Sequence, residues 1–72
     1  MSFQAYLDNV EAKTGKSAEA LRALAVERGL ADAGGLAAGV KAGAVGDWLK
    51  QDFDLGHGHA MSIVAFIKGK RE

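Results

Sequence analysis

The sequence predicts an all-α fold: a small four-helix orthogonal bundle whose last two helices form a helix-turn-helix hairpin. Three observations predict it. Proline is absent while Ala, Leu, Glu, Lys and Arg are plentiful. Apolar residues near both ends recur at three- and four-residue spacing, with no period-two alternation in the first half. Serines and glycines stand where helices should start and stop.

Each element follows in order. Ser2 is a good N-cap, and Phe3, Leu7 and Val10 then share one face with Tyr6 alongside, so a helix is expected over about 3–14. Thr14 and Gly15 end it, Gly taking the left-handed conformation without penalty. Ser17 caps a second helix, about 18–28, with Glu19 in the first turn where the helix dipole favours negative charge. Its stripe is Leu21, Leu24 and Ala25; Gly29 closes it and Leu30 folds back on the last turn.

Residues 29–46 hold six of the ten glycines, and a glycine inside a helix costs about 1 kcal/mol relative to Ala. An Ala-padded flexible connection over 29–41 is therefore expected; the alternative is a helix with Gly35, Gly39 and Gly43 as a flat packing stripe. Periodicity returns with Val45, Trp48, Leu49 and Phe53, giving a third helix of about 42–54 in which Lys50 and Asp54 form an i, i+4 pair. The fourth helix, about 59–68, is apolar nearly all round: Met61, Ile63, Val64, Phe66 and Ile67, relieved by Ser62. Such a helix must be covered on all sides. Three short helices are too few for that, so a homodimer is expected, with Met61, Ile63, Phe66 and Ile67 at the interface.

Composition narrows function. Seventy-two residues make a single domain, 1–72, and a polypeptide this short buries only about 60% of its unfolded surface. No cysteine means no disulfide and no thiolate metal site. Nine basic residues balance nine acidic ones, without the basic excess of a typical phosphate-neutralising domain. The start has early acidic groups and no apolar core of a signal peptide, and no run reaches the roughly 18 apolar residues of a membrane helix. The expectation is a soluble, cytoplasmic protein without a membrane partner.

Motifs that suggest chemistry are few. "TGKS" at 14–17 lacks the phosphate-loop glycine, since Val10 stands there, and a helix precedes it instead of a strand. His57 and His59 have only Asp52 and Asp54 as nearby ligands, short of the four of a structural zinc site, so no metal or other cofactor is expected. No nucleophile–base pair or isolated carboxylate pair is visible, so no enzyme is expected.

The turn "GHGH" at 56–59 has two readings. In one it only connects helices, with Gly56 as the left-handed C′ residue, Leu55 packed beneath and Gly58 and His59 opening the next helix. In the other, the free amides of that helix start cradle an anion. Gly56, His57, Gly58 and His59 would then bind a phosphate ligand or nucleic acid with Lys50, Lys68, Lys70 and Arg71. A helix, a Gly-x-Gly turn and a second helix also resemble the helix-hairpin-helix modules that grip DNA phosphates, which usually carry an aliphatic residue where His57 stands.

Together, "SFQAYLDN" and "TGKS" in residues 2–17, "KAG" at 41–43, "WLK" at 48–50 and "GHGHA" at 56–60 resemble a short bacterial family of domains of unknown function. The family's turn reads Gly-His-Gly-His-Ala or Gly-Arg-Gly-His-Ala, and residues 31–40 depart from its pattern. The resemblance implies a small helical domain, alone or fused to another, and implies no activity.

Overall fold

Two serines start the first two helices. The computed structural model describes residues 2–70. Helix α1 spans Phe3–Thr14, and the Ser2 hydroxyl accepts a hydrogen bond from the Ala5 amide. Helix α2 spans Ala18–Glu27, with Ser17 accepting from Ala20 in the same way. Both stop at residues legible in the sequence: Gly15 is left-handed and donates its N–H to Glu11 O, while beyond Gly29 the Leu30 amide reaches back to Ala25 O.

The Gly-rich stretch is neither a helix nor a featureless connection. Strands β1, Ala31–Asp32, and β2, Gly35–Leu36, pair antiparallel with Ala31 opposite Leu36. The Asp32 carboxylate accepts from the Gly34 amide at 2.8 Å and holds the tip of this hairpin. Gly35, Gly39 and Gly43 therefore form no helical stripe; only Gly43 lies in a helix.

Helix α3 spans Ala42–Phe53 and α4 spans His57–Ile67. The connection between them differs from its expected form. The left-handed residue after α3 is Asp54 (φ 55°, ψ 40°), a residue type that tolerates this region better than most. Gly56 is instead extended, φ −72° and ψ 167°, and is the N-cap of α4, its carbonyl accepting from the Ala60 amide. So α4 begins at His57, two residues earlier than expected. Lys50 pairs with Asp47 at 3.7 Å, not with Asp54, which lies past the end of the helix.

α4 is the hub. It packs against α3, α1 and α2, while α1 and α2 touch each other less. Ile63 is fully buried, Val64, Phe66 and Ile67 nearly so, and they join Val10, Leu21, Val45 and Leu49 in one core. Gly46 is also buried, and a Cβ there would come within 3.2 Å of Met61 Sδ, so α3 lies close against α4. The hairpin completes the cover: Gly35 rests against the carbonyl of Ile67 and the Cα of Lys68. Ile63, Phe66 and Ile67, expected at a dimer interface, are thus core residues of one polypeptide. The number of helices is a poor guide to cover. What matters is that all three others, and the hairpin, converge on the same short helix.

The connections give a direct test. Gly15→Ala places a methyl group at φ 76° and should cost about 1–2 kcal/mol in urea unfolding. Gly56→Ala adds a Cβ with nothing within 4 Å and at negative φ, so it should cost less than about 1 kcal/mol. Equal losses for the two would put the left-handed residue back at Gly56.

Candidate functional site: the cleft between α1 and α4

Where α4 is not covered, it borders a cleft of about 350 Å³. α1 supplies the aromatic rings of Phe3 and Tyr6, one helical turn apart on its inner edge. α4 supplies Gly58, Met61, Ser62 and Ala65, whose three- and four-residue spacing keeps them on one face. Lys70 closes one end. The Ser62 hydroxyl donates to Gly58 O at 2.9 Å, so its proton is already committed.

Lys70 is placed there by the backbone. After α4 the backbone turns at Gly69 (φ 116°), and the Lys70 amide donates back to Ala65 O at 2.9 Å. This returns the backbone onto the last helical turn, as in helix-ending motifs built on a positive-φ glycine. The Lys70 ammonium then lies 5.1 Å from the centre of the Phe3 ring, within cation–π range. Among the described residues, Lys70 is the one charged side chain lining the cleft.

The residues of the expected anion site are dispersed. His57 is exposed at the first position of α4. His59 is half-buried, its ring edge-on to Tyr6 with centroids 5.5 Å apart, and its Nε2 is buried without a hydrogen-bond partner among the described residues. Gly58 lies beneath the Tyr6 ring, 3.9 Å from where a Cβ would stand. Lys50 is engaged with Asp47 on α3. Lys68 follows the far end of α4, and an 11-residue helix is about 16 Å long. Arg71 lies outside the described residues. The turn therefore has free helix-start amides, with no side-chain cap and no acidic residue in the first turn, while Lys50 pairs with Asp47 and Lys68 lies past the far end of α4. Of the lysines named with it, Lys70 shares the cleft with Gly58, at the opposite end.

Other polar groups serve packing. The Trp48 ring meets Phe53 edge-on at 5.6 Å and lies under the Arg28 guanidinium, which bridges to Asp52 at 3.2 Å. These contacts tie the end of α2 to α3. Among the described residues no three His, Asp or Glu side chains come together as a metal-binding group. No helix among them is long and apolar enough to cross a membrane.

The sequence conceals the cleft. Phe3 and Tyr6 fit the apolar face of α1 as packing residues would, and Lys70 fits a solvated tail. The Gly69-Lys70 pair after an apolar run is the available signal, because a glycine just past a helix end turns the backbone back.

Fold and site together define a small helical domain with a short hairpin insert and a cleft beside its central helix. The protein belongs to the family described as Domain of unknown function (DUF4287), whose model matches residues 2–69. No curated protein and no solved structure matches it. The match takes in the two end segments that resemble such a family and the glycine-rich residues 31–40 between them.

His59 separates packing from ligand binding at the turn. His59→Phe keeps the ring contact with Tyr6 and removes the unpartnered buried nitrogen, so stability should be unchanged or higher by about 1 kcal/mol. His57→Ala, at an exposed position, should change stability by less than about 0.5 kcal/mol. Thermal unfolding of the two variants checks both; a large loss in His59→Phe would mean that the imidazole nitrogen is used.

Proposed function

We propose that this protein is an interaction module that takes an apolar side chain of a partner protein into the cleft between α1 and α4. One observation carries the reading: the part of α4 left uncovered, Met61 and Ala65, is framed by the aromatic rings of Phe3 and Tyr6 in a concave site. At about 350 Å³ the cleft is at the small end of the 300–1,000 Å³ range of ligand sites, suited to one large side chain. Aromatic and methionine walls are the residue types enriched at recognition surfaces, and Met adapts its shape to the group it meets.

Self-association through α4 is less well supported. A stable interface buries about 800 Å² per partner, and the large exposed hydrophobic residue among those described is Val26, on α2 and away from the cleft. Ile63, Phe66 and Ile67 have little or no surface to contribute. The phosphate reading keeps the free amides of α4, but Lys68 lies past the far end of that helix.

A phage-displayed peptide library panned on the folded domain tests the proposal. Enriched peptides should share a large apolar anchor. Their binding should be lost in Ala65→Trp, which fills the cleft from a half-buried position, while thermal unfolding stays cooperative. Peptides without a common anchor, or undiminished binding to Ala65→Trp, would remove the cleft from consideration.

A further inference from the structure

We infer that Met61 is a site of reversible oxidation: a hydroperoxide converts its thioether to the sulfoxide, and the new oxygen shuts the cleft to apolar side chains. The oxidation stands on the residue's own setting. Its effect on docking rests on the reading of the cleft as a docking site.

The sequence limits where sulfur chemistry can occur. There is no cysteine, so it belongs to the two methionines, and Met61 is the one among the described residues. Met61 is half-buried and lines the cleft, whose volume of about 350 Å³ admits a molecule as small as hydrogen peroxide. On its other side it is covered by α3. A Cβ at Gly46 would stand 3.2 Å from Sδ, so the α3 backbone closes that approach. The oxidant therefore arrives through the cleft, and the oxygen it leaves stays on that side.

The step is a two-electron oxygen transfer. A sulfur lone pair attacks one peroxide oxygen, and the S–O bond forms as the O–O bond breaks. The proton on the transferred oxygen passes to the departing one, which leaves as water. The thioether is oxidised and the peroxide reduced. A polar group that accepts hydrogen bonds then stands in place of a flexible apolar one. The Ser62 hydroxyl, also in the lining, does not answer that acceptor while its proton is held by Gly58 O. An apolar side chain entering the cleft would strip water from the sulfoxide oxygen, and this desolvation opposes docking. Enzymatic reduction of the sulfoxide returns the thioether, which makes the change reversible.

The test treats the 72-residue protein with dilute hydrogen peroxide. Peptide mapping by mass spectrometry should show Met61 oxidised in the folded protein within about tenfold of its rate in urea. The dispersed amide NMR spectrum should persist, and N-acetyl-phenylalaninamide should bind about tenfold more weakly, read from its shifts at Ser62 and Ala65. Methionine sulfoxide reductases of both epimer specificities should return the original affinity. Met61→Leu, similar in volume and without sulfur, should bind the probe equally before and after peroxide. Slower oxidation of folded Met61 than this would overturn the inference, as would an oxidised protein that binds as before; the docking proposal survives either result. A peroxide effect that persists in Met61→Leu would assign it to another residue, and a collapsed spectrum would place the damage in the core. Both would overturn the inference. No shift at Ser62 or Ala65 before oxidation would overturn the docking proposal and the inference together.

Discussion

Everything in this domain depends on covering one helix. α4 carries apolar side chains around nearly its whole circumference, and exposing them would cost about 1.5–3 kcal/mol for each large one. A protein of 72 residues has little to cover it with. The solution is convergence: α1, α2 and α3 each commit their apolar stripe to α4, and the hairpin closes over its last turn. Gly46 contributes by lacking a side chain, which brings α3 close under Met61. The remaining uncovered strip of α4 is the floor of the cleft, so the candidate site is a product of the same constraint that builds the core.

The placement of Lys70 is a second consequence. A helix this apolar needs a firm stop, and Gly69 provides it by turning the backbone along the last turn. The turn satisfies a carbonyl at the end of the helix, and it brings a cation to the mouth of the cleft. In the same way, His59 is at once part of the first turn of α4 and the support for the Tyr6 ring, which walls the cleft.

What can be read from the sequence is local. Ser2, Ser17, Gly15 and Gly29 announce their roles through hydrogen bonds within a few residues, and the bounds of α1 and α2 follow. The hairpin is hidden because Ala31–Leu36 has neither β-branched nor aromatic residues; its strands are two residues long and held by Asp32 and by docking on α4. The turn before α4 departs from expectation because the left-handed position falls to Asp54, although a glycine stands two residues on at 56. The burial of Ile63, Phe66 and Ile67 and the existence of the cleft depend on how four helices converge, which spacing along one helix does not contain. Family membership adds no activity.

The central claim is that a single copy of the protein covers its own α4. Native-state hydrogen exchange at two protein concentrations tests it most directly. The amides of Ile63, Val64, Phe66 and Ile67 should exchange only through global unfolding, with the same protection at about 10 µM and about 1 mM, because no second copy takes part in their burial. Protection at these four amides that falls on dilution would contradict the account and return the cover of α4 to a partner subunit.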